Sequence, residues 1–148
     1  IFNTDWVWGE PARKVARTYI SENNPVYIYH FDFVPPAMRE RARFGAGHGS
    51  EVNYVFNTLN SRRATKEITT EEIELGRIMN AYWTNFAKTG NPNGEDLPVW
   101  PIYNTHKEDI LDIEPSGKPV GKPDPRKARF DVIDKASHIR EQLQSRGI

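Results

Sequence analysis

Between Pro25 and the pair Pro35-Pro36 runs Val26-Tyr27-Ile28-Tyr29-His30-Phe31-Asp32-Phe33-Val34, nine residues rich in β-branched and aromatic side chains. So continuous a run reads as a strand covered on both faces, the habit of parallel sheets in α/β proteins. Parallel neighbours must be joined by long crossovers, and helices must roof both faces. The chain holds no second convincing run of this type. The pattern therefore predicts an α/β fold in which these 148 residues supply one buried strand of a larger sheet.

A glycine-rich stretch follows, Phe44-Gly45-Ala46-Gly47-His48-Gly49-Ser50-Glu51-Val52-Asn53-Tyr54-Val55-Phe56. Glycine tolerates positive φ and lets a backbone approach its neighbours closely, so a histidine between Gly47 and Gly49 sits on a sharp loop. Two readings fit. The imidazole is either presented to a site or merely caps a backbone group in a turn. Its position favours the first, since open α/β sheets place their chemistry on the loops that leave the strand ends.

The strand Val-Tyr-Ile-Tyr-His-Phe-Asp-Phe followed by Gly-Ala-Gly-His-Gly-Ser-Glu-Val-Asn-Tyr-Val-Phe resembles the catalytic-histidine region of type-B carboxylesterases, the cholinesterase-like branch of the α/β-hydrolases. A second stretch, Tyr82-Trp83-Thr84-Asn85-Phe86-Ala87-Lys88-Thr89-Gly90-Asn91-Pro92-Asn93 and then Trp100-Pro101-Ile102-Tyr103, resembles the same family at the right distance downstream. The resemblance covers nearly the whole chain but only the C-terminal quarter or so of the family. It implies that residues 1–148 are the C-terminal segment of one α/β-hydrolase domain. That fold is a central, mostly parallel sheet flanked by helices, incomplete without its N-terminal part. The opening Ile1-Phe2-Asn3-Thr4, without an initiator Met, suits a piece of a larger protein.

By the same resemblance His48 is the general base of a serine esterase acting on small carboxylic esters through an acyl-enzyme. Such a base takes a proton from the nucleophile, returns it to the leaving group, and is held in one tautomer by a carboxylate. In α/β-hydrolases the triad runs Ser, then Asp or Glu, then His along the chain, so a C-terminal piece carries the histidine alone. The residues agree: the serines at 21, 50, 61, 116, 137 and 145 lie in no G-x-S-x-G elbow, and no glycine cluster of the oxyanion-hole kind is present. The nucleophile and the acid are then expected upstream, and the partner of this chain is the N-terminal portion of the same enzyme.

Glu51 matches a family position that fixes the histidine loop by a buried hydrogen bond, with Gly47 and Gly49 as loop-supporting residues. A self-contained His48-Ser50-Glu51 triad is excluded on geometry, because residues so close in a tight turn cannot form the linear relay. His30, Asp32, His48 and Glu51 have no recognisable metal-ligand spacing, and no metal or cofactor is expected. His106 and His138 read as solvent-exposed. The rival from another class is a non-catalytic cholinesterase-like adhesion or scaffold domain; a third possibility is a small binding module that folds alone.

Residues 3–21 read as a helix with Trp8, Ala12, Val15 and Tyr19 on one face, and Trp6 and Trp8 as packing residues. Pro11 starts or kinks it. Residues 57–68 form a polar, basic connector. The next helix has a capping box at Thr69 and Glu72, an apolar stripe of Leu75, Ile78, Met79, Tyr82 and Phe86, and an end at Gly90. Ile110 to Ile113 predicts a short strand and Lys118 to Gly121 a possible return arm. Asp124 and Pro125 predict an N-cap and first residue for a last helix on which Val132, Ala136, Ile139 and Leu143 share a face.

Lys plus Arg and Asp plus Glu number 20 each, so the zero net charge gives no nucleic-acid or membrane-surface footprint. No apolar run is long enough to span a bilayer. With 11% aromatic residues on a mean hydropathy of −0.71, the apolar faces call for a partner. Cysteine is absent. Animal members of the resembled family are usually disulfide-bonded, so its absence leans toward a microbial parent, secreted or periplasmic rather than cytoplasmic.

Overall fold

A computed structural model describes residues 2–61 and 67–147. The central part of the expected basic connector, 62–66, lies outside the described residues. Among those described, no helix is long and apolar enough to cross a membrane. The chain sorts into two compact units, one made of the residues up to Ile28, Ile102–Ile110 and those from Pro123 on, the other of Tyr29–Pro101 and Leu111–Lys122.

In the first unit, α1 (Phe2–Thr4), a π turn (Asp5–Gly9) and α2 (Glu10–Ser21) follow one another through helical dihedrals at Thr4, Gly9 and Glu10. Pro11 has no N–H to give to the carbonyl four residues back, and just before it the ladder widens, with the Glu10 N–H donating to the Asp5 carbonyl. The face of α2 turned inward is not the apolar one. Glu10, Arg13 and Ala16 are buried, whereas Trp8, Ala12, Val15 and Tyr19 are exposed. The reason is a charge at the centre of the unit. Glu108 is 1% exposed and must meet cations. Arg17 Nη2 donates to it at 2.6 Å, with Lys127 Nζ at 3.4 Å and Arg13 Nη1 at 3.5 Å. Arg13 also donates to Asp131 at 2.6 Å.

Arg13 and Arg17 are four residues apart and share a helix face, so pairing both inward turns the apolar stripe outward. Beside the charges, Ala16, Tyr103 and Ile110 form a small core with Ile20, Val26 and Ile28 against it.

The last helix, α5 (Lys127–Ser145), is turned in the same way: Phe130 and Ile133 are buried, while Val132, Ala136, Ile139 and Leu143 face out. The guanidinium groups of Arg13 and Arg126 stack on the Phe130 ring at 5.4 and 5.1 Å, which sets the helix rotation. Asp124 is not the N-cap; that position is Arg126. Asp124 instead closes a turn before the helix, accepting from the Arg126 N–H at 2.8 Å, because its carboxylate is also gripped by the Arg126 side chain.

The second unit is built on a three-stranded sheet ordered β1 (Tyr29–Phe31), β2 (Asp109–Ile113), β3 (Pro119–Pro123). The expected nine-residue strand is only three residues long and half-buried. It does have a parallel neighbour within the chain: Tyr29, His30 and Phe31 lie opposite Leu111, Asp112 and Ile113. Pairing stops early because β2 gives way at Glu114 to the turn that leads into β3, closed by the Glu114 N–H to Lys118 carbonyl bond. The strand at 110–113 and its return arm thus both form.

Helix α4 (Thr70–Thr89) agrees closely with its sequence pattern. Thr69 and Glu72 make the capping box, Gly90 closes the helix at φ 74°, and Leu75, Ile78, Met79 and Tyr82 are buried; only Phe86, at 48% exposed, leaves the stripe. The prolyl loop beyond it is pinned by Asn93, which accepts from the Trp100 N–H at 2.7 Å and donates to the Trp100 carbonyl at 2.9 Å.

Candidate active site

His48 lies in the second unit, in an exposed turn between β1 and a one-turn helix, α3 (Val52–Val55). The aromatic, β-branched residues after the histidine thus form a helix. Leaving β1, the chain passes a 3₁₀ turn (Pro36–Met38), fixed at its mouth by Arg39 Nε donating to the Val34 carbonyl at 3.2 Å. It reaches His48 through two further turns, in which the Gly45 N–H bonds the Ala42 carbonyl and the Ser50 N–H the Gly47 carbonyl, each at 3.1 Å.

The two flanking glycines do different work. Gly49 has a φ of 73°, left-handed backbone that costs an L-residue about 1 kcal/mol or more, so the reversal after His48 depends on it. Gly47 is outside that region, and a Cβ there would meet nothing within 4 Å.

Glu51, three residues after His48, opens α3. Its carbonyl accepts from the N–H groups of Tyr54 and Val55 at 2.9 and 3.0 Å. Burial, and after it the Glu51 charge, pushes Tyr29 up to about 12. Ser50 Oγ is buried with no hydrogen-bond partner among the described residues. Ser50 Oγ therefore makes no hydrogen bond to the histidine.

The helix end of the turn is held from α4. Asn80 Nδ2 donates to the Val55 carbonyl at 2.8 Å, and the Tyr54 hydroxyl to Glu72 Oε1 at 3.3 Å. The Tyr54 ring packs at 5.7 Å from both Phe31 and Phe33. Sequence reasoning missed Asn80 and the Tyr54 contact of Glu72. The capping box at Thr69 gave the helix start, yet nothing in it announces that the same carboxylate also takes a hydroxyl from α3. Behind the turn lies a cavity of about 290 Å³ whose walls include Phe33, Val34, Met38, Gly47, Tyr54 and Leu59, near the lower limit for small-ligand pockets.

The other histidines and acids are elsewhere. His30 points its Nδ1 at Asp112 Oδ1, 2.8 Å away, and Asp112 also meets Lys122 Nζ at 2.7 Å, a row of charges across the three strands. Burial alone would raise the Asp112 carboxyl; the bonds from His30 and Lys122 outweigh it and hold the group below its usual value. Asp32 is half-buried beside Gly45, and His106 and His138 are exposed. Among the described residues, no three His, Asp or Glu side chains gather as metal ligands.

The sequence pattern of the carboxylesterase family matches residues 2–132. Liver carboxylesterase 1 of Oryctolagus cuniculus is 38% identical over 112 residues, which is 74% of this chain and 19% of that protein. Cocaine esterase of Homo sapiens is 38% identical over 109 residues, 72% of the chain and 19% of that protein. Carboxylesterase 4A of Bos taurus is 42% identical over 92 residues, 62% of the chain and 16% of that protein. The matched stretch is thus about a fifth of the length of these relatives.

Proposed function

The chain belongs to the carboxylesterase family, and on that premise we propose that it is the C-terminal part of a serine esterase to which it contributes the general base, His48. The observation that carries this reading is the placement of His48. It stands on an exposed turn that leaves a parallel strand, where α/β enzymes gather their catalytic groups, in a chain without a G-x-S-x-G elbow of its own.

The serine and the orienting acid come from the N-terminal portion of the enzyme. That serine attacks the ester carbonyl while the His48 imidazole takes its proton. The imidazolium then protonates the departing alcohol oxygen, and a water molecule, deprotonated by the same imidazole, hydrolyses the acyl-enzyme. The outward stripes of Val15 and Tyr19 on α2 and of Val132, Ile139 and Leu143 on α5 support a partner of this kind, since exposed apolar stripes mark surfaces meant to be covered.

In the full-length enzyme, His48→Ala is expected to lower kcat by about 10⁴ to 10⁶ with the fold intact by circular dichroism. A serine-directed phosphonate is expected to label the N-terminal portion and to spare residues 1–148. An activity loss of less than about tenfold would remove His48 from the base role.

A further inference from the structure

Resting on the reading of His48 as the base, we propose that the cavity beside the histidine turn is a subsite for one half of the ester, and that Ser50 is its specificity-determining residue. The group it takes is neutral and mainly apolar, about six to ten non-hydrogen atoms in size, and carries one hydrogen-bond acceptor for the Ser50 hydroxyl.

Volume and lining set that chemistry. The cavity measures about 290 Å³, against the roughly 150 Å³ that holds a benzene ring. Phe33, which is fully buried, and Met38 give it apolar walls. Among the described residues, no Lys, Arg, Asp, Glu or His lines it. An ion entering would therefore lose its water without meeting an opposite charge, so the occupant is uncharged.

One polar group in this wall is not accounted for by the fold. Ser50 Oγ is buried and makes no hydrogen bond among the described residues, a costly state for a hydroxyl unless something else meets it. The Asn53 amide lines the same cavity three residues further on. A few polar groups set into an apolar wall are how small-molecule sites orient a ligand.

The cavity is also within reach of the base. Gly47 before His48 and Ser50 after it both line it, and the Ser50 N–H closes the turn on the Gly47 carbonyl at 3.1 Å. Two residues span at most about 7 Å of chain. A group joined to the reacting carbonyl by two or three bonds thus reaches Ser50 while the carbonyl lies at His48.

The test uses the full-length enzyme and two ester series. One keeps acetate and varies the alcohol through meta- and para-methoxybenzyl and meta- and para-ethylbenzyl; the other keeps methanol and places the same rings on the acid. Methoxy and ethyl differ by an oxygen acceptor against a methylene. Results are read as ratios of kcat/KM within one preparation, so loss of folded enzyme cancels. Ser50→Ala is expected to lower the methoxy-to-ethyl ratio by about 3- to 15-fold in the series whose variable half enters the cavity, which identifies that half. In the same series Ala42→Phe, which adds a ring to the lining, should lower the ratio of ring-bearing ester to methyl acetate by about tenfold or more. A ring bearing a carboxylate should react at least about tenfold more slowly than its methoxy counterpart.

A methoxy-to-ethyl ratio unchanged in both series, or a carboxylate-bearing ring handled as well as the neutral ones, would overturn the proposal. An Ala42→Phe enzyme with an unchanged ring-to-methyl ratio overturns it too, and is the result expected if a side chain of the N-terminal portion fills the cavity. If Ser50→Ala does not fold, Ala42→Phe and the charged ring decide. His48→Ala run in parallel separates the two layers. Activity retained there removes the base assignment, whereas activity abolished there, with unchanged ratios in Ser50→Ala, removes the subsite alone.

Discussion

Helices α2 and α4 carry comparable apolar stripes, yet α4 buries its stripe and α2 shows its own to solvent. The difference lies in what each helix packs against. Around α4 the neighbours are apolar and aromatic: the Trp100 ring meets Tyr82 and Trp83 at 5.3 Å each, and Tyr54 of α3 reaches Glu72. Hydrophobic area then decides the rotation of the helix, at roughly 25 cal/mol per Å² buried. Around α2 the decisive neighbour is Glu108, and the cost of leaving a carboxylate buried without cations exceeds what one or two apolar side chains regain. An amphipathic pattern predicts the inward face only where the burial of apolar area outweighs the pairing of buried charge.

Two core changes should be of similar size although they remove different chemistry. Glu108→Ala, which takes from Arg17 its 2.6 Å hydrogen bond and leaves Arg13 with Asp131 alone, is expected to cost about 3–5 kcal/mol. Leu75→Ala in α4 is expected to cost about 2–5 kcal/mol through its cavity. Urea unfolding of both variants checks this, and a near-neutral Glu108→Ala would show that the charges do not govern α2.

A smaller effect concerns Asp112, whose carboxyl is held below its usual value in the fold. A depressed carboxyl stabilises the folded state above the unfolded value near 3.9, and that contribution is lost as pH falls through the lower folded value. Asp112→Asn is expected to cost about 1–3 kcal/mol at pH 7 and to flatten the loss of stability below about pH 4, as read from unfolding free energies measured between pH 7 and pH 3. An unchanged acid limb would mean that the pair with His30 and Lys122 adds no stability.

The smallest effect sharpens the contrast of the two helices. Val15→Ser on the outward face of α2 is expected to change the stability of the 148-residue chain by less than about 0.5 kcal/mol. In the full-length enzyme the same change should cost about 1–2 kcal/mol if the N-terminal portion covers that stripe. Equal, small values in both would leave the stripe uncovered.

Much of the fold is legible in the residues alone. The capping box at Thr69 and Glu72, the end of α4 at Gly90, the 110–113 strand and the return of the chain in β3 are written in residues that act within a few positions of one another, and all four appear. The family and the glycine-flanked histidine were readable for the same reason, as contiguous motifs. What the residues alone did not show depended on partners far along the chain: the rotation of α2 follows Glu108, that of α5 follows Arg13 on Phe130, and the pairing of β1 stops where β2 turns.

The candidate site divides along the same line. Sequence alone determined which residue types sit on the turn, His48 between glycines with Glu51 after it, because backbone freedom and chemistry are properties of the residues themselves. Only the tertiary structure decided that Gly49 and not Gly47 takes the left-handed backbone, that Asn80 grips the end of α3, and that Tyr54 ties α3 to Glu72. Those contacts join residues 25 and 18 positions apart, at distances that the packing of α4 sets and no local pattern encodes.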